Sequence, residues 1–419
     1  MRRDGLWRHA NFVHLWAAAT ISTYGSLVTR TALPFTAILL LDASPSAISV
    51  LRIAELLPGF IFGLVAGAWV DRLRRRPIMI ATDLGRALLI LTIPLAAFLG
   101  WLGLGHLVII AALVSVLSVF FDVAYQSYLP SVVKNDELVE ANSKLSAAMS
   151  VAEASAFSSA GWLIQLLTAP IAMLVDAVTF VASAGLVARI QDAEIRPEPL
   201  QAAPVSSIAG DVVEGLRAVW NQPVLRGIVV AGLAQNLAFG LIGTVFLLYV
   251  NQEIGFNPGI LGMIFAVGGV SSFLGALIAG RLSRFGVGAV MVTSLLLASA
   301  GEAFTPLATA ANTVGVLFLV GQQIVADSAL TVYDINQVSL VQAITPARVL
   351  GRINASIRVT EFGAVLLGTV AAGYIGETIG LRQTLWLGVA LSLIATVALA
   401  LSPVRRVRRI PEMVTETLV

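Results

Sequence analysis

The amino-acid sequence predicts an all-α membrane protein with twelve transmembrane helices, built as two parallel six-helix repeats. Three observations lead there: the composition, the alternation of basic loops along the chain, and an internal repeat at a constant offset. Of 419 residues, 58% are hydrophobic and 12% charged, against about 25% charged in a soluble domain. The mean hydropathy is +0.90. So much apolar surface has no place to hide in water. A spanning helix needs roughly 20 apolar residues rising 1.5 Å each, and this length accommodates twelve with short connectors.

Apolar runs between polar breaks place the first six spans at 12–41, 47–70, 78–99, 106–129, 143–167 and 169–190. The second six fall at 224–250, 257–280, 287–308, 312–336, 353–377 and 382–403. Cytoplasmic loops carry the excess of Lys and Arg, and here the basic residues occupy alternate connections. Arg2, Arg3 and Arg8 precede the first span, and Arg72, Arg74, Arg75 and Arg76 follow the second. Lys134 and Lys144 come after the fourth, Arg189, Arg196 and Arg217 between the halves, Arg281 and Arg284 after the eighth, and Arg348 and Arg352 after the tenth. Arg405, Arg406, Arg408 and Arg409 close the chain. The opposite loops, near Asp42, Gly103, Thr168, Glu253 and Ala310, carry none except Arg382. Both termini are therefore expected in the cytoplasm, with the protein in the cell (inner) membrane.

The organisation that follows is a six-helix half over 1–190, a cytoplasmic linker over 191–222, a second six-helix half over 223–403 and a cytoplasmic tail over 404–419. The linker begins with Pro197 and Pro199 and continues into a segment, Asp211 to Trp220, that reads as a short interfacial helix. An offset of 212 lays Asp122 on Asp334, Ser127 on Ser339, Leu138 on Leu350 and Asn142 on Asn354 without a gap, and also Gly63 on Gly275 and Arg72 on Arg284. With an even number of spans in each half, the repeats run parallel about an axis along the membrane normal.

Other function classes lack their signatures. There is no His-Glu-x-x-His, Gly-x-Ser-x-Gly or phosphate-binding loop, so neither an intramembrane enzyme nor an ATP-driven pump is expected, and no cofactor. The chain has no cysteine, which removes thiolate metal sites and disulfides. The basic residues belong to membrane orientation rather than to nucleic acid. A passive channel fits two six-span halves less well than alternating access does.

Family resemblance rests on several segments. Gly63 to Arg76, with Gly67, Asp71 and Arg72 inside it, resembles the loop-two signature of the major facilitator superfamily, where a Gly-rich helix end meets Asp-Arg and a basic run. Asn11 to Trp16, Asp83 to Ala87, Leu138 to Asn142, Asp176 to Phe180 and Gly373 to Gly380 look like the macrolide-efflux and enterobactin-exporter branch. The resemblance covers nearly the whole chain. It implies a secondary active exporter working by alternating access and proton antiport, with a small lipophilic compound as substrate; a siderophore, a lysolipid or a sugar stays open. A monomer in the bilayer is expected. The chain departs from related proton-driven exporters in span five, where Ala152 to Gly161 holds no proline, and Ser283 stands at the repeat equivalent of Asp71.

A charge within a span costs roughly 2.5–3.5 kcal/mol on insertion scales and so is a functional candidate. Arg52 with Glu55, Asp83 with Arg86, and Arg358 with Glu361 stand three apart on helices and are expected to pair locally. Asp122 and Asp334 are expected to be latch partners of Arg74 to Arg76 and of Arg281 or Arg284, in a gate that also uses Gly67, Asp71, Arg72 and Arg75. Arg30, Glu153, Asp176, Glu302 and Asp327 have no partner one helical turn away. Spans one and ten line the cavity in the family it resembles, which makes Arg30 and Asp327 candidates for touching substrate or coupling ion. Tyr24 and Phe239 are candidates to stack on a lipophilic ligand. Glu153, near mid-depth on span five, is the first candidate for carrying protons, with Asp327 the second.

Orientation is open to direct test. Cysteines introduced near Gly103 or Ala310 should react with an impermeant reagent added outside the cell, while cysteines near Arg75 or Glu198 should be protected. Reversed labelling would overturn the orientation.

Overall fold

A computed structural model describes residues 5–70, 72–191 and 208–409. In order, the helices of the first part are α1 (Ala10–Leu41), α2 (Pro45–Val70), α3 (Arg75–Phe98), α4 (Leu104–Val132), α5 (Leu138–Leu167) and α6 (Ala169–Ala188). A short α7 (Ile208–Asn221) precedes α8 (Pro223–Leu248), α9 (Pro258–Leu282), α10 (Val287–Glu302), a single turn α11 (Phe304–Leu307), α12 (Thr313–Gln322), α13 (Ser328–Ile344), α14 (Ala347–Ile379) and α15 (Leu381–Leu401). Two π-helical turns interrupt the second part, Tyr249–Glu253 after α8 and Gln323–Asp327 between α12 and α13. The tenth span, expected over 312–336, is one helical stretch, Thr313–Ile344, with a π turn inside it that contains Asp327.

Among the described residues, eleven helical stretches are long and apolar enough to cross a membrane. The remaining long helix is α5, which has 30 residues but is too polar to qualify. Its serines partly conceal themselves: Ser143, Ser150, Ser155 and Ser159 each donate to the carbonyl four residues back. Elsewhere the outer surface is that of a lipid-bathed protein. Phe98, for example, is 88% exposed, which water would penalise and hydrocarbon does not.

The chain divides into two compact units, Met1–Ala202 with Asn257–Ala266, and Ala203–Phe256 with Val267–Val419. In the first, α1 packs on α5 and α6, α3 on α4 and α6, and α2 on α4. In the second, α8 packs on α14 and α15, and α10 on α13 and α15, while Gly275 of α9 lies against Ser328 of α13. Corresponding helices pair in the same way, as the repeat at offset 212 leads one to expect.

With lipid as solvent, close packing does the work that water exclusion does elsewhere, and small residues permit it. Gly240 of α8 meets Gly368 of α14: a Cβ there would stand 2.3 Å from the Val365 carbonyl oxygen. In the first unit, the Ser115 hydroxyl of α4 enters the hydrogen-bond ladder of α2 directly after Pro58. It donates to the Glu55 carbonyl at 2.6 Å and accepts the Gly59 N–H at 3.1 Å, bridging two groups that an unbroken helix would join to each other. α7 lies on α14, with Gly215 against the Arg352 carbonyl and Glu214 paired to Arg352 at 2.7 Å. Its other side leaves Val213, Leu216 and Trp220 exposed. The tail after α15 caps α10, since the carbonyls of Val407 and Arg408 accept the N–H groups of Gly288 and Val287 at 2.9 and 3.4 Å.

Gly240→Val should lower the thermal unfolding temperature of the purified protein, because the added methyls meet backbone rather than a movable side chain; the cost expected is about 1–3 kcal/mol. Gly185→Ala, where a Cβ meets nothing within 4 Å, should be neutral or slightly stabilising. Equal melting for both variants would refute this reading of the α8–α14 crossing.

Candidate functional site

The first unit is built around a buried cation. α3 brings Asp83 and Arg86 onto one face three residues apart, and they form the expected ion pair, 0% and 3% exposed respectively. The Arg86 guanidinium lies between two rings, 4.5 Å from the centroid of Phe121 on α4 and 4.2 Å from that of Phe180 on α6. One nitrogen also donates to Ser118 at 3.3 Å. Two further carboxylates stand within its electrostatic reach, Asp122 on α4 and Asp176 on α6. Asp176 is 1% exposed, accepts from Thr179 at 3.4 Å and has Thr29 of α1 beside it. Gly25 makes this meeting possible, since a Cβ there would lie 2.5 Å from the Asp176 carboxylate.

Asp122 of the expected latch is an exposed residue within the electrostatic reach of Arg86. Arg76 is occupied elsewhere, donating from Nε to the Val187 carbonyl at 3.1 Å and from its terminal nitrogen to the Ala188 carbonyl, so that it closes the C-terminus of α6. Asp71 lies outside the described residues, as do Arg2, Arg3, Arg196 and Glu198. Arg72 is exposed, Arg75 is half-buried, and Gly67 faces open space. In the second unit, the charged group that acts on Asp334 is Glu361 of α14, and no described ion pair links Asp334 to Arg281 or Arg284. Arg284 instead shares a recess with Ser283, Val287 and Arg409. Glu361 accepts from Gln337 at 3.2 Å and has Arg358 within reach.

The cavity candidates are distributed differently. Arg30 is exposed on α1 and acts electrostatically on both Arg52 and Glu55 of α2, so it has a partner that spacing along its own helix does not reveal. Tyr24 is half-buried and its hydroxyl bonds Ser159 of α5 at 2.6 Å, a link between two helices. Phe239 is half-exposed on α8. Glu153 is exposed on α5, and no hydrogen bond or ion pair joins it to any described residue. Asp327 is half-buried in its π turn, pressed against Gly268 of α9, where a Cβ would stand 2.5 Å from Oδ2. The Ser271 hydroxyl of α9 lies 2.6 Å from the Gln323 carbonyl of that turn, a second acceptor beside the Gly268 carbonyl.

A polar group that pattern-reading alone did not assemble lies between α8, α10 and α15. Glu302, 9% exposed, accepts from Gln235 Nε2 at 3.2 Å, and Gln235 Oε1 accepts from Ser392 at 2.8 Å. Glu302 is visible in the sequence as a lone acid, but Gln235 stands 67 positions away from it and Ser392 a further 157 from Gln235. Among the described residues, no three His, Asp or Glu side chains come together as a metal site.

Removing the Arg86 guanidinium should be severe. Arg86→Gln leaves Asp83 and Asp176 without their cation in a buried seam, at a cost of about 3–5 kcal/mol, read as loss of folded protein in detergent; Arg86→Lys should be partly restored. A Gln variant that melts like the parent would show that the carboxylates need no cation.

Comparison with known proteins agrees with this architecture. The family model described as transmembrane secretion effector matches residues 6–416. The chain is similar to the multidrug efflux pump Tap of Mycolicibacterium fortuitum, 28% identical over 93% of this chain and 95% of that one. It is also similar to the uncharacterised MFS-type transporter y4rN of Sinorhizobium fredii, 26% identical over 80% and 82%. A solved bacterial homologue of the iron transporter ferroportin, inward-facing, superposes with a TM-score of 0.74 at 17% identity, over 95% of this chain and 99% of that one. The nucleoside transporter NupG superposes with a TM-score of 0.70 at 16% identity, over 94% and 98%. At those identities the likeness is one of fold. With its full-length family match, its spans and its two similarly paired units, the chain belongs to the transmembrane secretion effector family of major facilitator transporters.

Proposed function

We propose that this transporter exports a small lipophilic compound from the cytoplasm by alternating access, driven by proton antiport. The observation that carries this reading is the likeness to the multidrug efflux pump Tap along 93% of the chain. The absence of a phosphate-binding loop supports an ion gradient as the energy source. The alternating basic loops support an inner-membrane protein with both termini in the cytoplasm. The residues assigned to the substrate path are Arg30, Tyr24, Phe239 and Asp327, and those assigned to the cytoplasmic latch are Gly67, Asp71, Arg72, Arg75, Asp122, Asp334 and Arg284.

Coupling needs an acid that exchanges its proton with water in one access state and is biased by substrate in the other. Glu153 suits this because it is exposed and has no described partner; Asp327 suits it because a π turn holds it beside a glycine. Neither has a fixed cation whose removal would cost transport for trivial reasons.

The test uses proteoliposomes containing the full chain and ethidium as probe. Glu153→Gln and Asp327→Asn should each still equilibrate ethidium down its gradient, and at least one should fail to concentrate it under an imposed pH gradient. Both variants retaining full pH-driven accumulation would overturn the assignment. Wild-type transport indifferent to the pH gradient would overturn proton antiport itself, and the same vesicles screened with siderophores and lysolipids would then decide between the other substrate classes.

A further inference from the structure

The second unit gathers positive charge where α9 ends, α10 begins and the tail returns. Arg281 and Arg284 come from α9 and the turn after it, and Arg405, Arg406, Arg408 and Arg409 from the tail; all six are exposed. Arg284 and Arg409 line one recess of about 350 Å³, with Ser283 and Val287 as its other walls. The segments that build it hold no acid, since none occurs between Glu253 and Glu302 or between Glu377 and Glu412. Glu412 lies outside the described residues. Among the described residues, no ion pair or hydrogen bond engages the Arg284 or Arg409 guanidinium.

Like charges separate unless something holds them together, and here the backbone does. The tail turns at Pro403–Arg406 and is rooted by Val404, 0% exposed, in one apolar cluster with Val287, Met291 and Leu399. Beyond it, the carbonyls of Val407 and Arg408 take the N–H groups of Gly288 and Val287. Gly288 admits this strap, because a Cβ there would collide with the Val404 carbonyl oxygen. These two N–H groups of α10 are thus spent on the tail, and the Ser283 hydroxyl is spent on the Gly280 carbonyl at 2.8 Å. What remains for a ligand is two guanidinium groups, whose planar forks match the oxygens of a phosphate.

The surface beside the recess says where that phosphate comes from. Leu274, Leu277 and Ile278 are exposed on α9 at helical spacing, and the stripe runs on to Arg281 and to Phe285, which is 82% exposed. Such a stripe on a spanning helix is covered by acyl chains. A free phosphate would use the arginines alone, whereas a phospholipid uses the arginines and the stripe. We infer that the recess of Arg284 and Arg409 binds the phosphate group of an anionic phospholipid whose chains lie along α9. Basic pockets at the ends of spanning helices hold headgroups in this manner. The inference rests on neither the export reading nor the latch assigned to Arg284.

The test is lipid retention by the purified, delipidated full chain, read by native mass spectrometry with phosphatidylglycerol or phosphatidylcholine added. Wild type should prefer phosphatidylglycerol. Arg284→Gln combined with Arg409→Gln should weaken phosphatidylglycerol about tenfold and leave phosphatidylcholine unchanged, while Arg226→Gln, at an exposed arginine of α8, should change neither. Gly288→Ala keeps every charge and dislodges the strap, so it should weaken phosphatidylglycerol as the double variant does; if it no longer melts cooperatively, the double variant against Arg226→Gln decides alone. Full retention in the double variant, an equal loss in Arg226→Gln, or a folded Gly288→Ala that binds like wild type would reduce the site to general surface charge and overturn it. Displacement of the lipid by excess inorganic phosphate, but not by chloride of equal ionic strength, would make free phosphate the ligand and overturn the lipid. Retention that appears only after Glu412→Gln would show that the tail's own acid fills the recess, which also overturns it.

Discussion

A charge within a lipid-bathed bundle must be answered by a neighbour, and in the first unit the Arg86 guanidinium is that answer. Its ion pair with Asp83 holds α3 in one rotation, its two aromatic faces tie α3 to α4 and α6, and its field reaches Asp122 and Asp176. Gly25 then lets α1 approach α6 closely enough for Thr29 to join. Four helices of six are thereby referred to one side chain. A buried ion pair adds little net stability compared with an apolar replacement, but breaking one partner is costly. The cluster therefore specifies the arrangement of the unit more than it strengthens it.

The second unit has the same helix pairing without the same chemistry. The offset of 212 carries Arg86 onto Ala298 and Asp83 onto Leu295, so the cation and its partner are both replaced by apolar residues on α10. Polarity reappears one turn further on, at Glu302, where hydroxyls and an amide take the place of a guanidinium. Two repeats with one backbone plan thus manage a buried acid in opposite ways: one by a permanent countercharge, the other by neutral hydrogen bonds.

Much of the fold is legible in the sequence, because lipid imposes a simple rule on length and apolarity, and loop arginines report their side of the membrane. The Asp83–Arg86 pair is legible too, since spacing of three on a helix puts both groups on one face. What escapes is anything decided between helices. Arg30 acts on Glu55 across the α1–α2 approach, and Arg86 on α3 acts on Asp122 of α4. The π turn at Gln323–Asp327 is equally hidden, for no proline announces it; the surrounding residues read as ordinary helix, and the turn is met by Ser271 from another segment. Asp327 owes its placement to that turn.

The polarity of α5 bears on how the protein is made. Helices enter the bilayer from the translocon in proportion to their own apolarity, and eleven stretches here meet that standard unaided while α5, carrying Lys144, Glu153 and a series of serines, does not. Its thirty residues pack against α1 and α6. α6 is synthesised after α5 and is separated from it by a single residue, Thr168. Stable insertion of α5 is accordingly expected to depend on α6 following it.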